Sequence, residues 1–207
     1  MISKEELDRA FDARFPLEIK NKLLNARVAV AGLGGLGSNI ACMLARSGVG
    51  HMLLLDFDTV DVTNLNRQMY MIDHVGKPKS EALKEIIDQI NPYLDIEYKT
   101  IKVTPENIKE LFDGYDIVCE AFDKSDQKAM LVNGLLTSFD NTMVISGSGM
   151  AGIGDANDIK TIRRFSRLYV CGDMETDVDD GIGLMAPRVA VCAGHQAQKI
   201  IQIILGQ

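Results

Sequence analysis

The 207-residue chain has no tryptophan, only five prolines and three histidines, and four cysteines. None of the four (Cys42, Cys119, Cys171 and Cys192) falls in a C-x-x-C pair. The sequence therefore offers neither a disulfide framework nor a zinc site, and a reducing compartment without zinc is expected. No run approaches the roughly 18 apolar residues of a membrane helix. The opening MISKEELDRAFDARFP lacks the apolar core of a secretory signal. These absences predict a cytoplasmic protein with no membrane partner. Positive charge is also in deficit: 22 Lys and Arg against 29 Asp and Glu give a formal charge of −7. That balance argues against nucleic acid as a partner. What is present is ordinary: 46% apolar and 25% charged residues, enough at this length to bury a core without metal or disulfide. With no repeat, low-complexity tract or linker, the reading is a single domain over 1–207.

The pattern along the chain alternates. Ser3 followed by Glu6 has capping-box spacing, and Pro16 opens a second helical stretch, so a short N-terminal helical segment is expected. RVAVAG (27–32) reads as a buried strand, SNIACMLARSG as a helix closed by Gly48, and HMLLLD as a second strand ending at Asp56. Strand, glycine turn, helix, strand is a βαβ unit and implies a parallel sheet. Further alternation follows: a helix from Lys79 stopped by Asn91-Pro92, the strand LDIEYKTI, a helix begun by Thr104-Pro105-Glu106, the strand YDIVCEAF, a helix SDQKAMLVNGLLTSF and the strand TMVISGSG. After Gly149, TIRRFSRLYV suggests short antiparallel strands and CGDMETDVDDG an acidic loop, before a long apolar helix from Ala186. The expected fold class is α/β, a Rossmann-like doubly wound, mostly parallel sheet with a small antiparallel C-terminal addition.

Gly32-Leu33-Gly34-Gly35-Leu36-Gly37 joins the first strand to its helix. Glycines at 32, 34, 35 and 37 allow positive φ and close backbone approach, and the helix N-terminus offers unpaired N–H groups to an anion. In that context the turn points to a phosphate or nucleotide; the alternative is a tight structural turn. Asp56, about 20 residues on, can accept from ribose hydroxyls or merely cap a strand end. These features alone suit NAD as well as ATP.

The next loop, DFDTVDVTNLNRQ, separates them. It gathers Asp58, Asp61, Asn64, Asn66, Arg67 and Gln68. Hydride transfer needs no arginine–amide cluster, whereas ATP cleavage builds charge on the α-phosphate and on departing pyrophosphate, which Arg67 can neutralise. An NAD-dependent oxidoreductase is therefore the lesser alternative. Lys79, behind Gly76 and Pro78, is a second candidate cation or a solvated first-turn lysine. Asp123 follows YDIVCEAF at the carboxyl end of the sheet, a candidate Mg²⁺ ligand or an acid near a helix start.

G-x-G-G-L-G, then D-F-D-x-V-x-x-x-N-L-x-R-Q, then G-x-P-K resemble in order and spacing the ThiF/MoeB/HesA superfamily, relatives of ubiquitin-activating enzymes. The match runs from about Arg27 to Asp123, with an echo in A-P-R-V and the glutamine-containing last helix. The resemblance implies ATP-dependent adenylation of the C-terminal glycine carboxylate of a small ubiquitin-like sulfur carrier ending in Gly-Gly. It places Gly35 at the nucleotide, Asp56 at the ribose, Asn64, Arg67 and Lys79 at the phosphates and Asp123 at Mg²⁺, and it implies a homodimer. The short length and the L-Y-V-C-G-D segment resemble the thiamine branch; molybdopterin, cysteine and tRNA-modifying dehydratase branches remain alternatives, the last weakened by the acidic charge. Two departures stand out. The C-x-x-C pairs of many relatives are missing, and the N-terminal Arg-x-x-Arg reduces to Arg14, an arginine for a neighbouring site or a solvated helix end. Cys171, read as lying in a polar loop, could carry an acyl or sulfur intermediate, although Asp173 and Glu175 would raise its pKa. His51 and His195 read as structural, His74 as a loop-surface residue, the run from Met69 to Met71 as packing, and DVDD (177–180) as a solvated loop or a guide for a partner's tail.

Overall fold

The computed structural model describes residues 2–177 and 180–207; the DVDD segment thus falls partly outside the described residues. Two helices lead in, α1 (Lys4–Asp12) and α2 (Leu17–Asn25). Ser3 and Glu6 close the capping box the sequence predicts. The alternating region then runs β1 (Arg27–Ala31), α3 (Gly35–Ser47), β2 (His51–Asp56), α4 (Lys79–Ile90), β3 (Asp95–Thr100), α5 (Ile108–Phe112), β4 (Ile117–Glu120), α6 (Ser125–Ser138) and β5 (Met143–Gly147). It ends with β6 (Lys160–Phe165), β7 (Leu168–Gly172) and α7 (Ala186–Leu205).

The strands form one sheet in the order β3-β2-β1-β4-β5-β7-β6. All neighbours are parallel except β6, which pairs antiparallel with β7. The C-terminal strands are thus an extension of the main sheet: β7 continues its parallel run on β5, and only the edge strand is reversed. Period-two alternation distributes the strand residues between two cores. Val28, Val30, Met52 and Leu54 pack with α3, α4 and α7; Ala29, Ala31, Leu53 and Leu55 pack with α5 and α6. Burying each large aliphatic side chain here contributes about 1.5–3 kcal/mol. Gly48 closes α3 in the left-handed conformation, as read from the sequence.

One boundary differs. Thr104-Pro105-Glu106 does not begin a helix. Asn107 instead accepts from the Thr104 amide and donates to the Lys102 carbonyl, so these residues form a turn and α5 starts at Ile108. The competing side-chain bonds of Asn107 win over the helix-start signature. Among the described residues no helix is long and apolar enough to cross a membrane.

Candidate nucleotide site

The strand order reverses between β1 and β4, and the loops leaving their carboxyl ends face each other there. This is the crevice in which doubly wound sheets receive ligands. Gly32 leaves β1 at φ +89°, and a Cβ on it would lie 2.7 Å from the Ala121 carbonyl oxygen. A Cβ on Gly37 would collide with the Gly32 carbonyl oxygen. Those two glycines let the backbone close on itself. Gly34 and Gly35 are different. Nothing approaches a Cβ on Gly34 closer than Gln68 Nε2 at 3.9 Å, and a Cβ on Gly35 would meet Val189 at 3.1 Å and the Arg67 stem at 3.5 Å. The amides of residues 34–37 have no hydrogen-bond partner among the described residues, the unpaired N-terminus of α3.

The structure brings the loop after β2 onto this turn. Ser38 donates to the Gly34 carbonyl and accepts from the Met69 amide; Asn39 donates to the Gly35 and Arg67 carbonyls. Tyr70, buried, donates from its hydroxyl to Leu33 at 2.8 Å and to the Lys79 carbonyl at 3.3 Å. Sequence reading passed over Ser38 and Asn39, and took Tyr70 for packing alone. Their signal was slight: two small polar residues directly after the glycines.

Each expected site residue can now be placed. Asp56 is buried at the end of β2, with Oδ2 accepting from the Leu33 amide at 2.7 Å and Oδ1 from the Asp58 amide at 2.8 Å. Burial pushes its carboxyl up, partly offset by the Asp58 and Leu33 amides and by Lys79. Asp56 therefore shapes the glycine turn itself, and only lone pairs left by those two bonds can face a ribose. Lys79 is not the solvated lysine of the alternative reading. Its side chain is 9% exposed and its Nζ lies 3.0 Å from Asp58 Oδ2. Arg67 Nη1 reaches the Asn66 Oδ1 at 2.8 Å and the Thr63 carbonyl at 3.3 Å. Asn64 Oδ1 caps its own short turn through the Asp61 amide, leaving its amide nitrogen without a partner among the described residues. Gln68 is buried with its Nε2 facing Gly34 and its Oε1 without a hydrogen-bond partner among the described residues.

Asp123 is exposed beyond β4, its carboxylate engaged by no hydrogen bond or ion pair among the described residues. A residue that sequence reading missed sets its approach. Glu120, fully buried at the end of β4, accepts from the Phe122 amide at 2.7 Å, from Ser146, and from Lys128 at 3.1 Å. It holds the turn that presses Ala121 and Phe122 against Gly32. Inside an apolar strand it resembled a core position. Among the described residues no three His, Cys, Asp or Glu side chains converge as a metal-ligand set. Mg²⁺ at a nucleotide uses one or two carboxylates and takes its other oxygens from phosphates and water, so the free Asp123 carboxylate fits that ion.

Two placements correct the sequence reading. Cys171 does not lie in a polar loop; it is fully buried on β7, and burial pushes its thiol up, only partly countered by Thr161 and Lys199. A protonated, enclosed thiol is a poor nucleophile. Cys42 and Cys192 are likewise pushed up by burial, to about 11 and about 12. His74 is not on the surface. It is buried, and its Nδ1 accepts from the Met71 amide at 2.9 Å, tying the short turn of residues 72–74. His51 pairs with Asp95 and His195 with Thr161. Met69 packs against the core, whereas Met71 is exposed. Arg14 is exposed beyond α1.

The A-P-R-V segment opens α7. Arg188 is buried, donating from Nη2 to Asp173 Oδ2 and from Nη1 to the Asp155 carbonyl, both at 2.6 Å. Burial pushes the Asp173 carboxyl up, but the Glu175 and Thr176 amides, the Thr176 hydroxyl and Arg188 outweigh it and hold it at about 2 against an ordinary 3.8. A depressed carboxyl stabilises the fold fully above its unfolded value and loses that contribution as pH falls through the folded one. Acid unfolding followed by circular dichroism should show this loss in the wild type between about pH 4 and pH 2, and a flatter profile in Asp173→Asn. Superimposable profiles would show that the pair contributes nothing.

Fold and site together define a doubly wound domain with a glycine turn at its topological switch point and two cations beside it. The ThiF family profile matches residues 7–207, and the chain belongs to that family. A molybdopterin-synthase adenylyltransferase of Salmonella typhimurium is 33% identical over 197 residues, covering 92% of this chain and 77% of that protein. A tRNA threonylcarbamoyladenosine dehydratase of Bacillus subtilis is 41% identical over 135 residues, covering 64% of this chain and 52% of that protein. The tRNA N6-threonylcarbamoyladenosine dehydratase TcdA of E. coli, solved in complex with ATP, superposes with a TM-score of 0.87 at 26% identity, covering all of this chain and 97% of that one.

Proposed function

We propose that this protein adenylates the C-terminal glycine carboxylate of a small ubiquitin-like sulfur carrier, a carrier for thiamine thiazole synthesis, using ATP and releasing pyrophosphate. The observation that carries the reading is a glycine turn whose amides at residues 34–37 are unpaired among the described residues and whose Gly34 leaves open space, with the Arg67 stem beside Gly35 and the Lys79 ammonium held by Asp58 just beyond Asp56. ATP bound in a relative of the same fold supports the nucleotide, and the molybdopterin-synthase adenylyltransferase supports the chemistry. The thiamine branch rests on the L-Y-V-C-G-D segment around Cys171.

In the reaction a carboxylate oxygen attacks the α-phosphorus and the bond to the pyrophosphate oxygen breaks. No proton has to leave the carboxylate at neutral pH, so positioning and charge neutralisation do the catalytic work. Residues 34–37 present amides to the phosphates. Arg67 and Lys79 offset charge on the α-phosphate and the leaving pyrophosphate, with Asn64 and Gln68 supplying further polar contacts. Asp56 holds the turn and meets the ribose. Mg²⁺, held by Asp123, would neutralise phosphate charge.

ATP–pyrophosphate exchange measured against a panel of small proteins ending in Gly-Gly tests the proposal. Exchange is expected with one carrier and absent without it. The stimulating carrier identifies the branch; a molybdopterin carrier would move the protein out of thiamine synthesis. Binding of NADH but not ATP, or silence across the panel, would overturn adenylation.

A further inference from the structure

Two glycine-bearing straps adjoin the elements that flank the nucleotide turn: one follows Gly147, where a Cβ would lie 2.6 Å from Leu36 of the turn, and the other leads into α7, whose Val189 lies against Gly35. The first, residues 149–155, carries Gly149, Gly152 and Gly154; the second carries Gly181 and Gly183. The Gly152 amide donates to the Gly183 carbonyl at 2.8 Å, and Gly152 bridges to Leu184. Exposed Ile153, Ile182 and Met185 form an apolar lip on them. Arg188 lies at the centre of this arrangement. One Nη holds the Asp155 carbonyl of the first strap and the other holds Asp173, whose carboxylate in turn orders the Glu175 and Thr176 amides. Thr176 Oγ1 then accepts from the Ala151 amide of the first strap. The next residue, Val189, is the one that packs against Gly35 of the nucleotide turn.

Contacts around the pair are tight. A Cβ on Gly149 would fall on Asp173 Oδ1, and one on Gly154 would sit 3.3 Å from the Arg188 guanidinium. Two costs accumulate in the same place. Arg188 Nε is buried with no partner among the described residues, and Met174 adopts φ +66° beside Asp173. A strut that served stability alone could be apolar and avoid the unpaired N–H. Local rules broken together are expected where function sets the geometry.

We propose that Arg188 and Asp173 are a positioning pair that fixes the width of the path along which an extended, side-chain-poor C-terminal segment of the protein substrate reaches the nucleotide turn. The inference rests on the adenylation reading above. The pair touches neither ATP nor the reacting carboxylate. It ties the first strap and the Glu175–Thr176 loop to α7, and the second strap follows through the Gly152 amide on the Gly183 carbonyl. Glycine backbones on facing straps admit a main chain without side chains and offer it amides and carbonyls.

The test uses Arg188→Lys and Asp173→Asn in the full chain, with the carrier that stimulates wild-type exchange. A lysine keeps the charge but cannot grip two partners in a plane. Each substitution should raise KM for the carrier about tenfold while KM for ATP and kcat stay within about twofold. Equal rises in both KM values, a fall in kcat alone, or no change would overturn the pair's positioning role. If no carrier in the panel supports exchange, the adenylation reading fails by itself. Amide hydrogen exchange then decides the pair's part: faster exchange in Asp173→Asn confined to Ala151, Glu175 and Thr176 supports the hold on the straps, and unchanged protection overturns it.

Discussion

Arg67→Ala and Lys79→Ala should each lower carrier-dependent ATP–pyrophosphate exchange by about 10²-fold or more, the scale of losing one donor that acts in the transition state. The structure makes these clean substitutions. Arg67 runs its stem along Gly35 and keeps its guanidinium at the surface, bound among the described residues to the Thr63 carbonyl and Asn66. Truncating it empties no core. Lys79 is more enclosed, but its partner Asp58 has a half-exposed side chain and can hydrate once the ammonium is gone. Neither variant should unfold the protein, so thermal midpoints near wild type accompany the loss of exchange. The two differ in one respect. Lys79 reaches the site through a buried stem fixed by Asp58, so Asp58→Asn should weaken exchange as well, by loosening the ammonium without removing it. Near wild-type exchange in both alanine variants would remove these residues from the catalytic step.

The sheet was legible because its signals are local. Val28 to Ala31 and Met52 to Leu55 are continuous apolar runs bounded by glycine or acid, which is what strands covered on both faces require. The glycine turn was legible as a motif, because a chain that closes on itself there leaves no room for a Cβ at Gly32 or Gly37. What escaped depends on contacts between distant positions. Glu120 sits in an apolar strand, and only the fold brings Lys128 and Ser146 to it. Cys171 lies between a tyrosine-valine pair and a glycine, a sequence that reads equally as loop or strand; pairing of β7 with both β5 and β6 encloses it. His74 stands in a polar segment, and its burial follows from Tyr70 folding back under the turn. The Asp173–Arg188 pair joins an acidic loop to a helix start fifteen residues on, which no periodicity marks.

Gly34→Ala and Gly37→Ala should separate the two jobs that the glycine turn performs. At Gly37 the added methyl would overlap the Gly32 carbonyl oxygen, which is backbone and already fixed against the Ala121 turn. Relief requires α3 to move away from β1, so Gly37→Ala should lose about 1–3 kcal/mol of stability, as overpacked sites do, and should lose ATP binding with it. At Gly34 the nearest atom to the new methyl is 3.9 Å away, and φ is −76°, outside the left-handed region. Gly34→Ala should therefore fold as well as the wild type, or gain a few tenths of a kcal/mol from the smaller entropy of its unfolded chain. The methyl nevertheless projects beside the unpaired amides of α3 and Gln68, into the volume that a phosphate needs. Its ATP affinity, read by titration calorimetry, should fall about tenfold or more, since a phosphate displaced from helix amides loses charge-assisted bonds worth well over 1 kcal/mol. A stable Gly34→Ala protein that binds ATP as tightly as the wild type would show that the open space beside Gly34 is not the phosphate position. A Gly37→Ala protein with wild-type stability would show that the turn closes without the contact that makes glycine necessary there.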